Sequence, residues 1–339
     1  MNEPKECLVG HWIRKFMLEH LGTVRNCSPQ TRKSYRDAYR KLLPYVAKKC
    51  GRSVDALRVA DVSRDRVLSF LDHLERDCGN SARTRNQRLA AIMSLAKYIS
   101  TQSPELVEWF GSLRSIPSKK TTNRLITYLE RGEMDAIMSA PDSSTERGFR
   151  DRVMLRFLYN TGARADEVAK MKVRDVHFST SRDETGVVDI MGKGRKQRQC
   201  PLMKATEGEL RAMIGSRTAD TPLFVGRQGH PMTRHGIHRL VVKYAKAAAR
   251  KIPAIADKRP SPHTIRHTTA THLVEAGVDV NTVRAWMGHS SLETTNVYVE
   301  ISMEAKVKAM EAALSVKGRK RSRRWRDDKK LMAFLDEIR

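Results

Sequence analysis

The sequence predicts a mainly α protein in two parts: a helical N-terminal domain, and a mixed α/β C-terminal domain in which helices surround a small antiparallel sheet. Three observations lead there. Apolar residues recur at helical spacing from residue 8 to about 110, and a stretch rich in Gly, Ser, Pro, Lys, Thr and Asn interrupts them between Gly111 and Arg124. Beyond it the helical period gives way once to a period of two, over 186–202. With 339 residues and 40% hydrophobic content, the chain exceeds what one core usually organises, so two domains are expected.

In the first part, Val9, Trp12, Ile13 and Phe16 share one helical face, as do Tyr35, Ala38, Tyr39 and Leu42, and then Val67, Phe70, Leu71 and Leu74. Ser28-Pro29, Gly51, Gly79-Asn80 and Ser103-Pro104 punctuate these segments, and Ser81 or Thr84 is the expected cap of a helix through Leu89, Ile92, Leu95 and Tyr98. In the second part, helices are expected from about Glu130 to Ala140 and through Val153, Leu155, Phe157 and Leu158 to a stop near Gly162. Gly186 to Met191 and Gln197 to Leu202 read as two strands joined by the basic, glycine-rich turn Gly192-Lys193-Gly194-Arg195-Lys196. Helices resume near Glu207, Thr233 to Ala248, Pro262 to Ala276 and Asn281 to Met287. The boundaries expected are 1–112 for the helical domain, 113–125 for a linker, 126–315 for the second domain and 316–339 for a basic tail. That tail ends in a helix with Leu331, Met332, Phe334, Leu335 and Ile338 on one stripe, suited to docking on the chain's own body or on a neighbouring subunit.

Charge narrows the function. Lys and Arg number 64 against 38 Asp and Glu, a net charge of +26, and basic residues crowd Thr31 to Arg36 and Arg83 to Arg88. An excess of one sign on this scale points to a polyanion, with nucleic acid first among candidates. No window approaches a membrane span, and the first residues lack the pattern of a secretory signal, so a cytoplasmic protein is expected. The five cysteines are scattered and never form C-x-x-C, which argues against a disulfide framework or a zinc ribbon.

Three constellations carry chemistry. His263 and Arg266 stand three residues apart in the first turns of a helix opened by Ser261-Pro262, where backbone N–H groups also favour an anion. The plain reading of that pair alone is a capping histidine and a surface arginine. Arg164 follows a helix-ending glycine and has Glu167 at i+3, an arrangement in which the carboxylate holds the arginine and points it at a ligand as a bidentate fork. In Gly288-His289-Ser290-Ser291-Leu292-Glu293, the glycine stops one helix while Ser290 and Glu293 form a capping box for the next, which carries Tyr298. His263, His267 and His272 suggest zinc only weakly, because no H-E-x-x-H and no nearby cysteine accompany them, and no metal is expected.

These pieces occur in the order Thr-Gly-x-Arg-x-x-Glu, Gly-Lys-Gly-x-Lys-x-Arg, His-x-x-Arg-His, Gly-His-Ser, and a tyrosine nine residues after the last histidine. The set resembles the tyrosine recombinase (phage integrase) family, in the style of Xer-type resolvases and mobile-element integrases, over roughly 155–300. The resemblance implies that the N-terminal part is a core-binding domain on DNA and the second part a catalytic domain. It implies that Tyr298 is the nucleophile that joins a 3′ phosphate of DNA, Arg164 and Arg266 the clamp on its non-bridging oxygens, and Lys193 the general acid for the departing 5′ oxygen. His263 then assists proton removal from the tyrosine, and His289 donates a hydrogen bond to the phosphate. It further implies double-stranded DNA as substrate, a homotetramer on paired recombination sites or a hetero-assembly with related recombinases, and no cofactor. Ala163 and Ala165 depart from the bulkier residues usual beside that first arginine.

The chemistry fits the residue types. A phenol with pKa near 10 needs a proton acceptor and a cationic site to attack at neutral pH. Two fixed guanidiniums stabilise a pentacovalent phosphorus transition state, and a phosphotyrosine ester conserves the broken linkage so that rejoining needs no nucleotide. Two alternatives share much of this apparatus: a DNA-binding module of the same fold without strand exchange, and a type IB topoisomerase-like enzyme.

Overall fold

The computed structural model describes residues 8–121, 127–181, 183–192, 196–226 and 229–288. The chain divides into two compact units, Met1–Arg124 and Leu125–Arg339.

The described part of the first unit is built of helices: α1 (Val9–Lys15), α2 (Pro29–Cys50), α3 (Arg64–Arg76), α4 (Ala82–Gln102) and α5 (Val107–Arg114). The helix begun at Val9 widens into π-helical winding from Phe16 to Val24. Starts and stops follow the sequence signals. Ser28 and Ser81 accept hydrogen bonds from the backbone N–H groups of Thr31 and Thr84, which assigns the cap of α4 to Ser81, and Gly51 ends α2 at φ 63°. The apolar stripes meet in the core: Trp12, Phe16, Tyr39, Leu95 and Ile99 form one cluster, and Leu42, Val46, Val67, Phe70, Leu74 and Ile92 another. Leu113 and Ile116, which composition assigned to the linker, are buried in that second cluster. The chain beyond α5 stays fastened to the unit. The buried Arg85 donates to the carbonyl of Pro117 at 2.8 Å, and Asn86 exchanges two hydrogen bonds with the backbone of Lys119.

The second unit contains α6 (Arg131–Ser139), α7 (Glu146–Thr161), α8 (Ala165–Val168), the strands β1 (Val176–His177), β2 (Val187–Met191) and β3 (Gln197–Pro201), and then α9 (Lys204–Ile214), α10 (Arg234–Ala249), α11 (Ala254–Lys258), α12 (Pro262–Glu275) and α13 (Val280–Met287). The sheet is antiparallel in the order β1-β2-β3, with Val188 opposite Cys200 and Met191 opposite Gln197. Val188, Ile190 and Cys200 supply its buried face, as strand alternation requires. β1 is too short to show a period of two, which is why the sequence reading finds only the hairpin. α7 is the core helix, burying Val153, Met154, Leu155, Phe157 and Leu158. α12 is also mostly buried despite its threonines, because Thr268 and Thr269 return their hydroxyls to the carbonyls of Thr264 and Ile265. Thr268 also accepts from the Leu129 N–H, and Thr269 donates to the Tyr159 carbonyl, fixing α12 against α7.

Candidate active site

The ends of α7 and α13, the start of α12 and strand β3 converge on a group of arginines. α7 stops at Gly162, which takes φ 58° and donates to the Leu158 carbonyl. The left-handed φ favours glycine, and a Cβ at that position would stand 2.7 Å from Met287 Cε, so that side chain would have to shift. Two residues on, Arg164 caps α8, its N–H donating to Glu167 Oε2 at 3.0 Å and its Nη1 to Glu167 Oε1 at 2.8 Å. Glu167 thus holds Arg164 through one guanidinium N–H and one backbone N–H, and the Arg164 side chain is 39% exposed.

α12 opens as its sequence predicts, with Ser261 accepting from the Thr264 N–H and Pro262 in the first turn. One turn in, Arg266 is 2% exposed. Its Nη1 donates to the Gly162 carbonyl at 2.6 Å and its Nη2 to the Met287 carbonyl. Those oxygens are at the C-terminal ends of α7 and α13, where a helix leaves carbonyls without intrahelical partners and carries roughly half a negative charge. Two such ends account for a cation at this depth. His263, one turn before Arg266, has its pKa lowered by desolvation and then by the charges of Arg266 and Arg164. His267 follows the same logic and is pushed down to about 4 by burial, by His263 and by Arg266; the two rings meet edge to face at 4.3 Å. Both imidazoles are therefore neutral at pH 7, the form that accepts a proton.

Arg198, on β3, completes the group. Its Nη2 donates to Glu167 Oε2 at 2.8 Å and its Nε to the Trp286 carbonyl at 2.9 Å. The Glu167 carboxyl is pushed up by burial, but the hydrogen bond and charge of Arg198, followed by the two hydrogen bonds from Arg164, outweigh this and hold it below the usual glutamate range. Gly192 and Gly288 both lie close to the Arg198 guanidinium: a Cβ would stand 3.6 Å from its Nη1 at Gly192 and 3.3 Å at Gly288. Gly288 ends α13 at φ 62°, as its place in the sequence predicts.

Of the six residues singled out from the sequence, Arg164, His263 and Arg266 are thus brought together. Lys193, His289 and Tyr298 lie outside the described residues, as do the capping box at Ser290 and the tail helix. Arg198 was not singled out, although it is the last residue of the Gly-Lys-Gly-x-Lys-x-Arg motif. His272, considered above with the zinc candidates, pairs its Nδ1 with the Tyr159 hydroxyl at 2.7 Å. Among the described residues no cluster of His, Cys, Asp or Glu is arranged to hold a metal ion, and no helix is long and apolar enough to cross a membrane. A broad cleft of about 1310 Å³, lined by residues such as Phe149, Met213 and Leu240, includes none of the arginine group.

Comparison with known proteins agrees with the motifs. The profile described as the phage integrase family matches residues 127–305, and that of the phage integrase N-terminal SAM-like domain matches 15–102. The y4rC protein of Sinorhizobium fredii, an integrase/recombinase by description, is 34% identical over 328 residues, covering 96% of this chain and 97% of its own length. The tyrosine recombinase XerC of Pelobacter propionicus is 32% identical over 300 residues, covering 86% and 91%. The fold is shared with a XerH site-specific recombinase bound to palindromic difH substrate (TM-score 0.66, 22% identity, 86% of this chain and 81% of that one). It is shared also with the Tn1549 transposon integrase in complex with transposon right end DNA (TM-score 0.65, 15% identity, 88% and 98%). The chain belongs to the phage integrase family and is a site-specific tyrosine recombinase.

Proposed function

We propose that this recombinase cleaves and rejoins double-stranded DNA through a 3′-phosphotyrosyl intermediate on Tyr298, without metal or nucleotide. The Tyr298 oxygen attacks phosphorus, forming the P–O(Tyr) bond while the bond to the 5′ oxygen breaks. The phenolic proton passes to His263 and a proton from Lys193 goes to the departing 5′ oxygen. Arg164 and Arg266 stabilise the charge on the non-bridging oxygens, and His289 donates a further hydrogen bond. The reverse step, with a 5′ hydroxyl of another strand as nucleophile, reseals the DNA. The carrying observation is the convergence of Arg164, His263 and Arg266, 102 sequence positions apart at their extremes, around the ends of α7 and α13.

On this reading the N-terminal helical unit forms a core-binding domain, residues 126–315 the catalytic domain and 316–339 a basic tail. The working assembly is a homotetramer, or a mixed assembly with related recombinases, on two sites in the cytoplasm. The net charge of +26 supports a DNA partner.

A suicide duplex, nicked so that the freed strand diffuses away, traps the covalent complex. Wild type is expected to accumulate it in EDTA, and Tyr298→Phe to accumulate none. Equal trapping by the two proteins overturns the assignment, and strict dependence on a divalent ion overturns the metal-free step.

A further inference from the structure

The mechanism above uses two arginines and leaves a third, Arg198, without a role. Its side chain is 8% exposed and donates in two directions, to the Glu167 carboxylate and to the Trp286 carbonyl. Each acceptor leads to one member of the clamp. Glu167 is the residue that grips Arg164 by side chain and backbone. The carbonyl next to that of Trp286 belongs to Met287 and receives Arg266, which itself reaches back to Gly162. One planar guanidinium thus fixes the supports of both clamp arginines at once.

The surroundings are built for this approach. Gly288 has no side chain where a Cβ would crowd Arg198: it would stand 3.0 Å from Cδ and 3.3 Å from Nη1. The Trp286 carbonyl also accepts from the Cys200 Sγ, and the Trp286 indole donates to the Asn160 carbonyl, so the acceptor is itself anchored to β3 and α7. A fork of N–H donors in fixed geometry can meet a carboxylate and a carbonyl together, whereas an ammonium is a point charge on a flexible stem.

We infer that Arg198 is a positioning residue for the reaction: through Glu167 and the C-terminal end of α13 it sets the separation and orientation of Arg164 and Arg266 around the phosphate. This rests on the recombinase mechanism proposed above. Loss of Arg198 removes no group proposed to touch DNA, so it slows the chemical step and leaves DNA affinity in place.

The test uses the full-length chain and a suicide duplex built from the sequence that the wild-type protein selects out of a randomised pool. Single-turnover cleavage, affinity by mobility shift and melting temperature are measured for wild type, Arg198→Gln, Arg198→Lys, Glu167→Gln and the Arg198→Gln/Glu167→Gln double variant. The expected result is a loss of ~100-fold in cleavage rate for Arg198→Gln, the size of a lost transition-state donor, with affinity within about threefold of wild type. Arg198→Lys recovers an intermediate rate, and the double variant is no slower than the slower single one, because both act through one unit. A wild-type rate in Arg198→Gln overturns the inference, as does a loss of affinity that matches the loss of rate, or multiplication of the two single effects. If Arg198→Gln does not fold, Arg198→Lys carries the test: slow cleavage at unchanged affinity supports the inference, and a wild-type rate overturns it. A wild-type protein that forms no covalent complex refutes the recombinase mechanism itself, an outcome distinct from any of these.

Discussion

Arg266 donates to the carbonyl of Gly162, 104 residues earlier in the chain, at 2.6 Å. A helix interior thereby supplies the donor for another helix's last turn, and a sequence-distant glycine fixes where the guanidinium of the proposed phosphate clamp sits. Arg266→Ala is expected to lower suicide-substrate cleavage by ~10²- to 10³-fold. It also leaves the Gly162 and Met287 carbonyls without this donor, at about 1–3 kcal/mol each, so urea unfolding should show a loss that surface arginine variants do not. Unchanged stability would contradict the buried geometry.

Gly162→Ala tests the turn itself. The position holds φ 58°, and the added methyl would meet Met287 Cε and Sδ at 2.7 and 2.8 Å. The left-handed conformation alone costs a non-glycine residue roughly 1–2 kcal/mol. Equilibrium denaturation should report at least that loss, and cleavage should slow with it because Arg164 and Arg266 both depend on this turn.

On the mechanism proposed above, in which His263 takes the tyrosine proton, the reaction acquires a pH dependence with a defined sign. The His263 pKa is depressed below 6.5 by desolvation, Arg266 and Arg164, so the proton-accepting form dominates at pH 7 and is lost only on acidification below that value. The cleavage rate should be level near neutrality and fall on the acid side. His263→Gln should cost on the order of 10²-fold or more and flatten that limb. Arg164→Gln, which removes a neighbouring positive charge, should move the acid limb of the remaining activity to higher pH.

His267 makes a separate prediction about stability. Its folded-state pKa is about 4 against 6.5 for a free imidazole. The unfolded chain therefore takes up this proton first as pH falls, and the neutral ring's contribution is complete above pH 6.5 and lost progressively towards pH 4. The urea midpoint of wild type should decline through that window more steeply than that of His267→Gln. Parallel curves would argue against a neutral ring held in a half-buried site.

Binding to duplex DNA should fall steeply with salt, since each neutralised phosphate contributes a slope of about −0.9 in log affinity against log salt. A flat response between low and physiological ionic strength would refute the use of the +26 charge for phosphate contact.

Much of this architecture was legible in the sequence, for identifiable reasons. Helix ends at Ser28, Ser81, Gly51, Gly162, Ser261 and Gly288 carry local punctuation, and each falls where its residue type predicts. The hairpin showed because Val188, Ile190 and Cys200 alternate. β1 did not, having two residues and no period. The π-helical winding from Phe16 to Val24 leaves the same apolar stripe as an α-helix at its start and was not seen. At the site, Arg164 with Glu167 was readable because the pair is local. The tie from Arg198 to the Trp286 carbonyl spans 88 residues and ends on a backbone atom, which no side-chain pattern records.

The grip of Arg85 and Asn86 on Pro117 and Lys119 has a practical corollary for anyone dissecting the polypeptide. A cut at residue 112 would strip a buried guanidinium of its carbonyl acceptor and discard Leu113 and Ile116 from a hydrophobic core. The amino-terminal piece becomes self-sufficient only when it carries its own strap through Lys119, so the natural place to sever this enzyme is some seven residues later than its composition suggests.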